Sequence, residues 1–231
     1  MRIYQTLKEE AWEANMELPK RGLVIYTFGN VSAMDRERGV FAIKPSGVPY
    51  DALKPEDMVI VGLEGEVIEG VKNPSSDTRT HAVLYRHFKE IGGIAHTHST
   101  YATAWAQAAR PIPIYGTTHA DHCAVDIPCT RFMTNAAIKG DYEEATGDQI
   151  VQTFKSLNPA EVKMVLVAGH GPFTWGRNAA GAVYHAAILE ELANMARLSE
   201  QINPELSRLK SSLVRKHYDR KHGPNATYGQ K

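Results

Sequence analysis

A chain of 231 residues, 43% of them hydrophobic, can bury a substantial core, and no compositional break divides it, so one domain spanning 1–231 is expected. Lys plus Arg balance Asp plus Glu at 26 each, which excludes the charge excess needed to neutralise a nucleic-acid backbone or an anionic membrane. The opening Met1-Arg2-Ile3-Tyr4-Gln5 lacks a signal-peptide core and no segment approaches the roughly 18 apolar residues of a membrane span, so a cytoplasmic protein is expected.

Leu7, Ala11, Ala14 and Leu18 recur at helical spacing, and Pro19 predicts the stop of a first amphipathic helix. Short strands are expected at 23–28, 39–43 and 58–61, each a β-branched or aromatic run between turn formers, with a hairpin turn at 62–66 leading into Val67-Ile68. Capping residues at 73–78 predict a helix from Thr80 to Phe88. Buried strands are expected at 94–98 and 164–167, and Ala182, Ala186, Leu189, Ala193 and Ala196 mark a long helix after Asn178. Strands cluster before helices intervene, which predicts an α/β domain with a central mixed, largely antiparallel sheet flanked by helices.

On a strand, residues two apart face the same way, so His96 and His98 can present two imidazoles side by side, a metal-ligand spacing. A catalytic zinc needs a third protein ligand. His170, between glycines after an apolar strand, is the best candidate, against the alternative of a hydrogen-bonded loop histidine. Asp77 suits a fourth ligand, a base beside the metal, or a helix cap. Three small turns can cradle an anion: Gly29-Asn30, Ser46-Gly47 after Lys44-Pro45, and Ser75-Ser76, where a helix start would add unpaired amides and Lys44 a charge. The segment 116–122 concentrates titratable groups. Asp121 can act there as acid or base, while His119 and His122 fit packing or supporting roles. At the C-terminus, 216–222 fits a solvated helical face from which His217 and Arg220 can reach an anion, and Tyr228 sits in a Gly/Pro/Asn-rich tail. Cys123 and Cys129 match no common zinc pair and fit reduced thiols.

In this order, Thr27-Phe28-Gly29-Asn30-Val31-Ser32, Ile43-Lys44-Pro45-Ser46-Gly47, Pro74-Ser75-Ser76-Asp77-Thr78, Gly92-Gly93-Ile94-Ala95-His96-Thr97-His98-Ser99, Gly116-Thr117-Thr118-His119-Ala120-Asp121 and His170-Gly171-Pro172-Phe173 make the chain resemble the L-ribulose-5-phosphate 4-epimerase family of the class II aldolase superfamily. The resemblance implies one Zn2+ per subunit held by His96, His98 and His170 with Asp77 at or beside it. It implies substrate and phosphate contacts from the three turns. It also implies an acid/base pair, Asp121 and Tyr228, reaching a site completed by a neighbouring subunit of a homotetramer, with Thr117, Glu143, His217 and Arg220 in that shared site and the tail from about 216 to 231 ordered by assembly. His122 follows Asp121 where relatives carry an aromatic residue, and Thr227 precedes Tyr228 where they often carry a second tyrosine.

The implied reaction is C4 epimerisation of L-ribulose 5-phosphate to D-xylulose 5-phosphate, as in arabinose or ascorbate breakdown. The C4 hydrogen is not adjacent to the carbonyl, so cleaving and re-forming C3–C4 is the route that leaves charge where a Lewis acid can stabilise it. The rivals are a sugar-phosphate aldolase of the fuculose-phosphate type, which tends to carry glutamate where Asp77 stands, and a non-catalytic binding module lacking the histidines.

Overall fold

The computed structural model describes residues 3–224 and 226. Its centre is a seven-stranded sheet in the order β4-β3-β2-β1-β5-β7-β6. The strands are β1 (Asn30–Asp35), β2 (Val40–Ile43), β3 (Val59–Gly62), β4 (Val67–Glu69), β5 (Gly93–His96), β6 (Met164–Val167) and β7 (Gly171–Gly176). Every neighbouring pair is antiparallel, so the mixed sheet expected from sequence is fully antiparallel across its named strands.

The helices are α1 (Gln5–Lys20), α2 (Thr78–His87), α3 (Thr100–Gln107), α4 (Thr117–Ala120), α5 (Asn135–Lys139), α6 (Tyr142–Thr153), α7 (Ala179–Ile202) and α8 (Ser211–His222). Both faces of the sheet are covered. Phe41, Ile43, Val59, Val61, Ile94, Phe173 and Trp175 pack with Leu84, Tyr85 and Phe88 of α2 and its C-terminal cap and with Ile150 of α6. The alternate residues Val31, Ala33, Ala42, Ile60 and Ala95 pack with Ala11, Ala14 and Leu18 of α1 and Ala182, Val183 and Ala186 of α7. Two buried faces explain why several strands are unbroken apolar runs rather than alternating ones.

The strand expected at 23–28 is a correction. Those residues form turns that lead into β1, with Tyr26 at φ 51° and an amide of Phe28 donating to the carbonyl of Ile25. Tyr26 is 84% exposed, so this apolar run buries little and has no partner strand to pair with among the described residues. The strand expected at 94–98 ends at His96, two residues earlier. The helix after Asn178 forms as expected, Asn178 accepting a hydrogen bond from the amide of Gly181 at 2.8 Å.

The start of β5 is pressed against the start of α7. A Cβ on Gly93 would lie 2.4 Å from backbone atoms of Asn178 and Ala179, and backbone cannot step aside as a flexible side chain can. Gly93→Ala is therefore expected to destabilise the fold by about 3 kcal/mol or more, read as a lowered urea midpoint with an unchanged slope.

Candidate metal centre and its cleft

The site grows from one row across the sheet. Asn30 of β1, His96 of β5 and Phe173 of β7 are successive cross-strand partners, so their side chains share a face. His96 stacks on Phe173 with ring centroids 4.2 Å apart and planes 18° apart, and its Nδ1 lies 2.9 Å from the carbonyl oxygen of Pro172. If Nδ1–H donates to that carbonyl, the Nε2 lone pair faces outward, as a metal ligand requires.

His98 lies beyond the end of β5, so simple strand alternation does not place it. The chain passes from His98 through Ser99 directly into α3, whose first amides, Tyr101 and Ala102, donate to the Glu190 carboxylate of α7 at 2.8 and 2.9 Å. That anchor brings His98 Nε2 to 3.0 Å from His96 Nε2. His170 arrives from the tight turn between β6 and β7, where Gly169 takes φ 73°. Gly171 beside it leaves the room this approach needs, because a Cβ there would sit 2.9 Å from the Thr97 carbonyl oxygen and 3.5 Å from the His96 ring.

The ligand atoms of His96, His98 and His170 all lie within 4.8 Å of one another. Burial holds His98 below the usual histidine range, and burial with the neighbouring His96 pushes His170 down to about 4. Neutral imidazoles at neutral pH are the form that binds a metal. Three convergent nitrogens with an open side match the donor set of a catalytic divalent-metal site, so the residues fit such an ion.

Asp77 stands at the N-cap position of α2 but makes no capping bond. Its carboxylate instead accepts from Asn30 Nδ2 at 2.6 Å and stands 3.5 Å from Ser75 Oγ. Burial raises its pKa, but interactions with His96, His81 and His170 and the hydrogen bond from Asn30 outweigh this and hold the carboxyl below its usual range. Asp77 lies outside the compact three-histidine group and beside it.

A cleft of about 440 Å3 opens over these groups. Gly29, Asn30, Lys44, Ser46, Gly47, Ser75, Ser76, Asp77 and the three histidines all line it, so the three anion-binding turns of the sequence reading converge on one place. Lys44 is only 2% exposed, lies over the Tyr50 ring at 4.9 Å and has no carboxylate partner among the described residues; burial pushes its pKa down to about 8. A buried cation bordered by small polar turns offers charge and hydrogen-bond donors that an anion could take up.

The remaining sequence candidates lie elsewhere on the chain. Glu143 stands in the first turn of α6 and borders a neighbouring cavity of about 540 Å3 with Ser75 and Ser76. Thr117 starts α4, and Asp121 follows it, held by α8: His217 Nδ1 stands 3.0 Å and Arg220 Nη2 2.9 Å from its carboxylate. Burial raises the Asp121 pKa, but the hydrogen bonds from Arg220 and His217 outweigh it and keep the carboxyl below its usual range. Asp121, Thr117, His217 and Arg220 do not line the cleft of their own chain. Tyr228 and Thr227 lie outside the described residues. His119 is buried with Nε2 3.1 Å from the Val125 carbonyl oxygen, and His122 stands against Tyr184 with centroids 5.8 Å apart, both packing roles.

Three neighbours of the site escaped the sequence reading. Phe173 supports His96, Phe28 stands 6.2 Å from the His98 ring, and Tyr142 places its hydroxyl 3.4 Å from His170 Nδ1. No spacing rule links residues so far apart in the chain. Phe28 and Phe173 do fall within motifs that carried the resemblance.

A fully antiparallel sheet between helical layers, with three histidines at a strand end that could hold a divalent metal and a buried lysine in the same cleft, defines a single α/β domain with a candidate metal centre. Residues 9–197 match the family described as Class II Aldolase and Adducin N-terminal domain, and the chain belongs to that family. Among solved structures it is similar to an L-fuculose 1-phosphate aldolase, with 25% identity, a TM-score of 0.78 and coverage of 93% of this chain and 95% of that one. It is also similar to YgbL from Klebsiella pneumoniae, provisionally described as an aldolase/epimerase/decarboxylase, with 27% identity, a TM-score of 0.70 and coverage of 92% and 97%. The L-fuculose-1-phosphate aldolase from Thermus thermophilus, at 23% identity, a TM-score of 0.67 and coverage of 88% and 98%, shares the fold.

Proposed function

We propose that the chain is a zinc-dependent L-ribulose-5-phosphate 4-epimerase that works as a cytoplasmic homotetramer with sites completed between subunits. The observation that carries this reading is the Asp77 carboxylate, released from helix capping and turned beside the three histidines in the cleft that also holds Lys44.

In this reading His96, His98 and His170 hold the ion, with Asp77 at or beside it. Bound there, zinc would supply the Lewis acid that stabilises negative charge on the ketone fragment. The protein groups do the rest. A base takes the proton from the C4 hydroxyl, the C3–C4 bond breaks, and its electron pair passes to the ketone fragment. Glycolaldehyde phosphate is the other fragment. Lys44, Ser46, Gly47, Ser75 and Ser76 hold its phosphate while the aldehyde turns its opposite face, and C3–C4 re-forms. A second group then returns a proton to the new C4 oxygen. Asp121 and Tyr228 of a neighbouring subunit suit these two roles because inversion places the two C4 hydroxyls on opposite sides. Thr117, Glu143, His217 and Arg220 would complete that shared wall.

The similarity to an L-fuculose 1-phosphate aldolase favours one rival, an aldolase that releases its aldehyde. Paired assays separate the two. The epimerase reading expects D-xylulose 5-phosphate from L-ribulose 5-phosphate and negligible dihydroxyacetone phosphate from L-fuculose 1-phosphate, and the reverse preference overturns it.

A pH dependence follows from Lys44. Its folded pKa of about 8 lies below the ordinary 10.5, so it is charged below pH 8 and loses its charge above. If it seats the phosphate, kcat/KM for the phosphorylated substrate falls as pH rises through about 8. Lys44→Arg, charged throughout, is expected to flatten that alkaline limb even where it lowers the plateau.

A further inference from the structure

The three histidines are not held alike. Nδ1 of His96 lies 2.9 Å from the Pro172 carbonyl oxygen, and Nδ1 of His170 lies 3.4 Å from the Tyr142 hydroxyl. His98 is the most exposed of the three, and among the described residues its ring has a hydrogen-bonding contact with His96 alone. Metal-binding histidines are usually oriented by a bond to the second ring nitrogen. His98 lacks one among the described residues, so its placement depends on the backbone that carries it.

That backbone is fixed at the start of α3. Ser99 stands at the N-cap, where a serine hydroxyl commonly accepts from the first amides, yet it makes no capping bond and accepts instead from Thr97 Oγ1 at 3.3 Å. The amides go to a carboxylate 88 or 89 residues further along the chain: Tyr101 N donates to one oxygen of Glu190 at 2.8 Å and Ala102 N to the other at 2.9 Å. A carboxylate at the positive end of a helix, with both oxygens engaged, fixes direction as well as distance.

The same helix meets the other end of the segment. Gly93, at the start of β5, lies against Ala179, at the start of α7. Ala179 and Glu190 are 11 residues apart on one continuous helix, roughly 16 Å at the α-helical rise. His96 and His98 are therefore strung between two fixed points on α7. The flank of α3 is gripped separately, Trp105 Nε1 donating to the Ala193 carbonyl at 3.0 Å and the Arg197 guanidinium lying 5.2 Å from the Tyr101 ring centre.

We propose that Glu190 is a positioning residue for His98: its carboxylate fixes the start of α3 so that the His98 imidazole meets His96 and His170 in a preformed metal-binding arrangement. Its consequence for metal affinity rests on the reading of the three histidines as a zinc centre, while its structural consequence does not.

Two substitutions separate positioning from general support. Glu190→Gln keeps the shape of the side chain but sets a donor against one of the two amides. Trp105→Phe removes a bond between the same two helices and leaves the start of α3 alone. Zinc affinity, measured by competition with a chelator, is expected to fall about 10- to 100-fold in the Gln variant and to stay within about twofold of wild type in the Phe variant. In cobalt(II)-loaded protein the visible absorption bands are expected to shift in the Gln variant alone. If both variants lose thermostability while zinc affinity and cobalt bands stay as in wild type, Glu190 is merely structural and the proposal is overturned. An equal loss of affinity in both overturns it too.

Two readouts need no metal. In NMR of the metal-free protein, Glu190→Gln is expected to shift the His98 ring signals and Trp105→Phe to leave them in place; unchanged His98 signals in the Gln variant overturn the proposal. In the wild type, the Tyr101 and Ala102 amides are expected to be protected from hydrogen exchange, although first-turn amides have no partner within their own helix. Free exchange there overturns the proposal even if neither variant folds. A wild-type protein that binds no zinc, but whose His98 signals respond to Glu190→Gln, sustains the Glu190 inference and counts against the zinc centre.

Discussion

His96→Ala is expected to abolish zinc retention and lower kcat/KM for L-ribulose 5-phosphate by at least about 10³-fold, because Lewis-acid stabilisation is worth several kcal/mol and each 1.36 kcal/mol is about tenfold in rate. His96 is 2% exposed, at the centre of the row that joins Asn30 to Phe173, and it adjoins both other histidines. Losing it removes the ligand that a strand holds in place, leaving two that stand on connections between elements. Zinc analysis of the gel-filtered variant, with a melting curve of the metal-free protein to establish that it folds, checks the cause. A variant that binds zinc and turns over normally would remove His96 from the centre.

Asp121→Asn is expected to lower kcat by about 10²-fold with zinc still bound, the usual weight of a general acid or base. In the wild-type chain Asp121 is kept ionised by His217 and Arg220 of α8, yet it does not line the cleft of its own chain. A neighbouring subunit must therefore supply it if it acts in catalysis. Co-expression makes this testable. In the proposed homotetramer, mixed assemblies of Asp121→Asn and His96→Ala chains would contain some interfaces with intact histidines facing an intact Asp121, so activity well above either parent is expected. Mixed assemblies as inactive as their parents would contradict a shared site.

The sequence made the metal centre more legible than the sheet that carries it. His96, His98 and His170 stand in short glycine-flanked motifs, and the structure brings them together, though for His98 the reason is its anchorage to α3 rather than strand alternation. The helix after Asn178 and the β6 run were legible because periodicity and apolar content agreed with burial. Strand β1 was not, because Asn30 and Ser32 within it make polar contacts to α2 and its N-cap, breaking the apolar run that marks a buried strand. Strand β7 was hidden by Gly171, Pro172 and Gly176, residues that usually punctuate strands and here allow close approach to the histidines and to α7. Conversely, 23–28 imitates a strand because Ile25, Tyr26 and Phe28 are apolar although exposed, Phe28 standing by the His98 ring. Helices α3 and α6 lack a clean apolar stripe, since Thr and Ala dominate one and acidic residues open the other. Asp77 was legible as a candidate, but its choice between cap and site depended on Asn30, 47 residues earlier.

The most direct test incubates zinc-loaded and chelator-treated protein with L-ribulose 5-phosphate and measures D-xylulose 5-phosphate and free glycolaldehyde phosphate together. The account predicts that D-xylulose 5-phosphate accumulates toward equilibrium, that free aldehyde stays negligible, and that chelation stops turnover until zinc is restored. Accumulating glycolaldehyde phosphate, or turnover indifferent to the chelator, would contradict it.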